Sequence, residues 1–134
     1  IMANNATLAG HVTLQENVIV GGLSAVHQFV NIGKFSMIGG MSGVESNIIP
    51  YGLYFGIRSN LRGLNLIGLK RKKLNSKHIN IIQRAFKKIF NNSNSIEKNI
   101  NNLNKEESST EEVKEIINFI SLNLKRGICR YTDD

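Results

Sequence analysis

Leu8-Ala9-Gly10-His11-Val12-Thr13-Leu14, Val20-Gly21-Gly22-Leu23-Ser24-Ala25-Val26 and Ile32-Gly33-Lys34-Phe35-Ser36-Met37-Ile38 carry the repeat that decides the fold. An aliphatic residue returns every six positions, from Met2 through Leu8, Leu14, Val20, Val26, Ile32 and Ile38 to Val44. Four residues after each comes a small or β-branched partner: Ala6, Val12, Val18, Ser24, Val30, Ser36 and Ser42. Neither the helical period of about 3.6 nor the strand period of about 2 produces this spacing. A six-residue unit holds a short strand and a corner, so three units close one triangular turn, and the aliphatic residues stack along the axis at about 4.8 Å per coil. The expected fold is a left-handed parallel β-helix of the hexapeptide-repeat class.

The six-residue period stops after Val44, and Asn47-Ile48-Ile49-Pro50-Tyr51-Gly52, with the single proline of the chain, reads as a terminating turn. Coils are therefore expected over residues 1–56 and an irregular connector over 57–74. An α-helical carboxyl-terminal domain is expected over 75–134. Its first helix puts Ile79, Ile82, Phe86, Ile89 and Phe90 on one face, with Asn75 or Ser76 as the cap. A short second helix carries Ile96, Ile100 and Leu103. A third opens at a capping Thr110, buries Val113, Ile116, Ile117 and Ile120, and stops at Gly127 after Lys125 and Arg126.

A length of 134 residues with 41% apolar content suits one compact unit. No apolar run approaches the ~18 residues of a membrane span, and the amino end has neither basic flank nor apolar stretch of a secretory signal. The lone Cys129 cannot form an internal disulfide. These features point to a cytoplasmic protein. The chain starts on Ile1 already in phase with the repeat, so it reads as a fragment, and catalytic residues are expected upstream.

Charge adds a second line of reasoning. The net charge of +7 is densest at Lys70-Arg71-Lys72-Lys73, just before the first long helix. That cluster is a solvated connector, a phosphate-binding patch or a nucleic-acid contact, and no aromatic platform accompanies it to favour the last. Two of three histidines, His11 and His27, lie within the repeat, and His78 is read as surface. His27 fills a slot that the repeat usually gives to small residues, and Gln28 follows it. A zinc site shared between subunits would need two histidines close together on one coil edge with a partner. His11 and His27 are separated by nearly a whole coil, and no other histidine or acidic residue of the repeat is suitably placed, so no metal or other cofactor is expected.

The stretches Ala3-Asn4-Asn5-Ala6-Thr7-Leu8-Ala9-Gly10-His11-Val12, Gly21-Gly22-Leu23-Ser24-Ala25-Val26-His27-Gln28-Phe29, Gly39-Gly40-Met41-Ser42-Gly43-Val44 and Gly68-Leu69-Lys70-Arg71 together resemble the acyl-carrier-protein-dependent UDP-N-acetylglucosamine O-acyltransferases of lipid A biosynthesis. Hexads alone are shared by many acyl- and acetyltransferases; the Asn-Asn-Ala-Thr-Leu-Ala-Gly-His and Ala-Val-His-Gln-Phe stretches are far more specific. The similarity runs over essentially the whole chain and matches the carboxyl-terminal half of such enzymes.

The resemblance implies a homotrimer with clefts between neighbouring coils, in which the sugar 3-hydroxyl attacks a 3-hydroxyacyl thioester on acyl carrier protein. It implies an oxyanion donor at the Gly10 amide, a sugar contact at His11, and cleft-lining roles for His27 and Gln28. The general base is implied about one coil before His11. Asn65, Arg71 and Lys72 match positions at the nucleotide end, and Arg58 stands where the family usually has a histidine there. Gly40 matches the floor of the acyl groove, although a glycine at a tight corner has a purely conformational reading too. Ile67 replaces a glutamate and Lys72 an arginine. The helices over Ser76–Ser95 are poor in acidic residues and suit an acidic carrier protein. Another hexapeptide-repeat transferase, a non-catalytic scaffold and a metal-dependent hydratase are the alternatives.

Overall fold

A computed structural model describes residues 1–132. The described residues form nine strands and five helices: β1 (Thr7–Leu8), β2 (Thr13–Leu14), β3 (Ile19–Val20), β4 (Ala25–Val26), β5 (Asn31–Ile32), β6 (Met37–Ile38), β7 (Gly43–Val44), β8 (Gly52–Tyr54) and β9 (Leu61–Leu64), then α1 (Leu66–Arg71), α2 (Ser76–Ile89), α3 (Ile96–Asn101), α4 (Lys105–Ser109) and α5 (Glu111–Asn123). Successive strands go to three different sheets, β1-β4-β7, β2-β5 and β3-β6-β8-β9. Among β1 to β7 each parallel partner lies three hexads further along the chain, as in Thr7↔Ala25, Thr13↔Asn31 and Ile19↔Met37. Three hexads therefore make one turn of a three-sided parallel coil.

Both repeat columns face inward. Val20, Val26, Ile32, Ile38 and Val44 are buried, as are Val18, Ser24, Val30, Ser36 and Ser42 of the second column. The buried serines satisfy the coil's own carbonyls: Ser36 Oγ donates to Ile49 O at 2.7 Å, and Ser24 Oγ and Ser42 Oγ both donate to Gly39 O. Each corner turns on one left-handed residue, namely Asn5, His11, Asn17, Leu23, Phe29, Phe35 and Met41, with φ between 57° and 65°. Coils approach so closely at Gly21 that a Cβ there would lie 2.5 Å from Gly40 N.

The coil continues beyond Val44, where the sequence period stops. Ile32 pairs with Ile48 and Ile38 with Tyr54, both slightly closer in sequence than three hexads, and Gly43 pairs with Ile57, closer still. Two corners have been shortened, so the spacing changes while the inward column persists through the buried Ile48 and Tyr54. The stretch expected as an irregular connector over 57–74 holds β9, which pairs antiparallel with β8, and helix α1. Short local capping forms α1 despite its weak periodicity: Asn65 Oδ1 accepts from Gly68 N at 3.1 Å.

Helix α2 starts where Asn75 accepts from His78 N, and it buries Ile79, Ile82, Ala85, Phe86 and Ile89. It packs against α3, α4 and α5. Helix α4 has no counterpart among the helices expected from apolar spacing; Asn104 and Glu107 form a capping box at its start. Thr110 precedes α5 as expected, yet its hydroxyl donates back to Glu106 O rather than capping the new helix. After α5 the chain returns to the coil, Ile128 pairing with Asn47 and Tyr131 with Leu61. Cys129 is buried there, and burial pushes its thiol up to about 11. No helix among the described residues is long and apolar enough to cross a membrane.

Candidate functional site

One edge of the coil, between the first and second sheets, carries Gly10 and His11 and, one full turn later, Gln28 and Phe29, with His27 beside them. The hydrogen bonding of the coil explains why these groups are available. Ala9 N–H donates to Val26 O and Phe29 N–H to Gly10 O, but the amide of Gly10 has no acceptor among the described residues. Among the described residues other than its chain neighbours, nothing lies within 4 Å of a Cβ built on Gly10, and the residue is exposed. A free amide at an exposed corner is a hydrogen-bond donor for an oxyanion. The left-handed conformation of His11 throws its ring against Phe29, with centroids 4.8 Å apart and planes 3° from parallel.

His27 lines a shallow groove on the first face with Ala9, Ala25, Gly43, Ile57 and Arg58. Arg58 Nε donates to Glu45 Oε1 at 2.9 Å. It joins the His27 side of the coil and stands apart from the other residues assigned to the nucleotide end. Arg126 also reaches this edge: its Nη2 donates to Glu45 O at 3.1 Å and lies 3.0 Å from His27 Nδ1. Periodicity could not single it out, because it belongs to the turn after α5 and meets His27 from the far end of the chain. Gly40 is exposed at the opposite end of the same face, its would-be Cβ 3.3 Å from Gly22 O.

A second edge, between the second and third sheets, opens into a cleft of about 600 Å³ lined by Asn17, Val18, Phe35, Asn65, Ile67, Arg71 and Lys72 with neighbouring aliphatic residues. The other three nucleotide-end candidates, Asn65, Arg71 and Lys72, thus line one cleft, Asn65 at the start of α1 and the two cations at its end. They are not equivalent. Asn65 is buried and already engaged, capping α1 and donating from Nδ2 to Phe35 O at 2.9 Å. Lys72 Nζ donates to Tyr51 Oη at 3.0 Å and pairs with Glu112 at 3.1 Å, over the rings of Phe35 and Tyr51. Arg71 is exposed and has no ion pair or side-chain hydrogen bond among the described residues.

Behind Lys72 lies a network that no sequence signal revealed. Glu112 is buried and also pairs with His78 Nε2 at 2.7 Å, so His78 is no plain surface residue. Burial alone would raise the Glu112 carboxyl, but its own backbone amide, His78 and Lys72 outweigh that and hold it below the usual glutamate range. Tyr51 Oη donates to Glu115 at 2.7 Å, and Glu115 pairs with Lys34, which also reaches Glu16 at 3.4 Å. Burial first, then the neighbouring Glu115, drives the Tyr51 phenol far above its ordinary range.

Three-hexad coils with polar groups displayed at their edges define a hexapeptide-repeat protein. The family described as UDP N-acetylglucosamine O-acyltransferase, domain 2, matches residues 47–129, and the chain belongs to that family. An acyl-[acyl-carrier-protein]–UDP-N-acetylglucosamine O-acyltransferase of Nautilia profundicola is 44% identical over 128 residues, covering 96% of this chain and 49% of the relative. A relative of the same description from Aliarcobacter butzleri is 43% identical over 131 residues, covering 96% and 48%. The crystal structure of an Arabidopsis UDP-N-acetylglucosamine acyltransferase superposes with a TM-score of 0.90 at 37% identity, covering 96% of this chain and 48% of that one. The solved structure of a Campylobacter jejuni UDP-N-acetylglucosamine acyltransferase gives 0.86 at 41% identity, covering 98% and 50%. The chain spans about half the length of the relatives it matches.

Proposed function

We propose that this chain is the carboxyl-terminal part of a cytoplasmic acyltransferase that moves a 3-hydroxyacyl group from acyl carrier protein to the 3-hydroxyl of UDP-N-acetylglucosamine. The observation that carries the reading is the free Gly10 amide beside His11, on the edge that also presents His27 and Gln28. The sugar oxygen attacks the thioester carbonyl and a new carbon–oxygen bond forms. Charge gathers on the carbonyl oxygen, where the Gly10 N–H donates. The carbon–sulfur bond then breaks, and the carrier thiol leaves with the proton taken from the sugar by the general base. That base is the histidine which the resemblance assigns to the preceding coil.

His11 contacts the sugar, and His27 and Gln28 line the cleft between sugar and acyl chain. Arg71 supplies the cation for the pyrophosphate, since its guanidinium is uncommitted among the described residues. Asn65 and Lys72 shape that cleft through the contacts they already make, and Lys72 contributes positive charge. The coils wind left-handed, and the segment from residue 75 acts as a helical domain whose basic surface meets the acidic carrier protein. The His11 edge and the Arg71 cleft lie on different edges of one coil. Three copies packed side by side would bring one chain's His11 edge against its neighbour's Arg71 cleft, which is the reason for a homotrimer.

Joined to the preceding coils of the Nautilia profundicola relative, the chain should convert UDP-N-acetylglucosamine and 3-hydroxyacyl carrier protein into a 3-O-acylated nucleotide sugar and free carrier thiol. Thioester hydrolysis with no acylated sugar would contradict the reading.

A further inference from the structure

We infer that Arg126 is a positioning residue that fixes the neutral tautomer of His27, so that the ring presents Nε2–H as a donor within its groove. The placement of Arg126 follows from backbone register. Asn47 N–H donates to Gly127 O at 3.2 Å and Cys129 N–H donates to Asn47 O at 2.8 Å, while Ile48 N–H donates to Asn31 O on the other side, so residues 127–129 extend the coil one turn beyond Asn47. Gly127 adopts φ +108°, a conformation that other residues rarely take, and the resulting turn carries Arg126 over the edge.

The two hydrogens of Nη2 then have two acceptors, Glu45 O at 3.1 Å and His27 Nδ1 at 3.0 Å. A guanidinium has donors only and keeps its proton, so Nδ1 must be the acceptor and the ring proton resides on Nε2. One contact argues the other way. Gln28 O lies 3.3 Å from the same Nδ1 and could be satisfied only by an Nδ1–H. Nδ1 can serve one of the two, and the shorter, charge-assisted contact prevails. The charged groups around the ring are Arg126 and the Glu45–Arg58 pair, and the Glu45 carboxylate is bound to Arg58 rather than to His27.

A ring held this way donates from Nε2 and cannot take a proton there. It suits an oxygen of the ligand, such as an amide carbonyl, a thioester carbonyl or a hydroxyl. His27 then selects a substrate bearing an acceptor at that point, and the base must be another group. Only the identity of that ligand rests on the acyl-transfer reading; the tautomer does not.

The test is nitrogen-15 spectroscopy of the imidazoles of the full 134-residue chain, at a pH of about 8, above the ordinary histidine range. In the wild type His27 should show an unprotonated Nδ1 and a protonated Nε2. In Arg126→Met, which keeps length and removes the donor, the Nδ1–H form should become the major one as Gln28 O takes over. Unchanged His11 and His78 signals report that the fold is intact. A protonated Nδ1 in the wild type, or the same tautomer in a folded Arg126→Met, overturns the inference. The wild-type spectrum decides even if the variant does not fold, and neither spectrum depends on acyl transfer occurring.

Discussion

The imidazole of His11 lies flat against the ring of Phe29, its equivalent one coil later, with centroids 4.8 Å apart. Both residues hold left-handed backbone, His11 at φ 59° and Phe29 at φ 65°, so the stack is a product of the corner itself. It orients a polar ring next to the free Gly10 amide through ring contact rather than through a hydrogen bond.

Phe29→Ala should therefore disturb catalysis more than folding. The pair is worth about 0.5–1.5 kcal/mol beyond area burial, and Phe29 is 53% exposed. The extended enzyme should lose roughly 3- to 10-fold in kcat/KM with a nearly unchanged melting temperature. A full-rate variant would remove the stack from the account of His11.

Arg71 and Lys72 should separate cleanly. Arg71→Ala removes an uncommitted cation and should raise KM for the nucleotide sugar about 10- to 100-fold, as expected for a charged hydrogen bond of about 1.5–3 kcal/mol. Its melting temperature should hold. Lys72→Ala leaves the buried Glu112 with His78 alone among its described side-chain partners, so it should lower the melting temperature. Isothermal titration with the nucleotide sugar, beside thermal melts, distinguishes the two. The reverse pattern would exchange their roles.

Acid should loosen the helices through Glu107. Burial opposes its charge, but Lys88 at 2.8 Å, the Asn104 amide and Arg84 at 2.8 Å outweigh this and bring the carboxyl down to about 2 from an ordinary 4.5. A lowered folded-state value means stability is fully present above about 4.5 and is lost as the pH falls through about 2. Glu107→Gln should flatten that acid limb in melts recorded across the range. An equally steep limb in the variant would assign it to other carboxylates.

The coil was legible in the sequence because its rule is rigid: two inward positions in every hexad, from Met2 to Val44. A last, irregular coil was expected too, within residues 1–56, but its register was not legible, since the shortened corner after Val44 that brings Ile48 and Tyr54 into register breaks the hexad count while leaving the inward column intact. Helices α2 and α5 announced themselves by apolar spacing. Helices α1 and α4 depend on single caps at Asn65 and Asn104 in stretches too short for a period. That Gly10, His11, His27 and Gln28 share one coil edge follows from the repeat count, whereas the roles proposed for them come from the resemblance. Arg126 reaches this edge, and Tyr51 and Glu112 reach Lys72 at the other cleft, from distant segments, and no local pattern encodes such meetings.

Gly40 tests the acyl floor. Its backbone needs no glycine for φ, but a Cβ would press Gly22 O at 3.3 Å, so Gly40→Met should lower the melting temperature modestly while the coil still folds. A floor at this point should shift the extended enzyme toward shorter donors, each excluded methylene counting for about 0.8 kcal/mol. Unchanged length preference in a well-folded variant would leave Gly40 as a corner residue.

The most direct measurement is complementation between two impaired variants of the extended enzyme, His11→Ala and Arg71→Ala, unfolded and refolded separately and then together, and assayed at a nucleotide-sugar concentration well below the wild-type KM, where the Arg71→Ala defect is fully expressed. If the His11 edge of one chain and the Arg71 cleft of another form one acyl-transfer site, the mixed assembly should make acylated nucleotide sugar faster than either variant alone. A mixture no faster than the average of its components, with mixed assemblies verified by mass, would contradict the shared site.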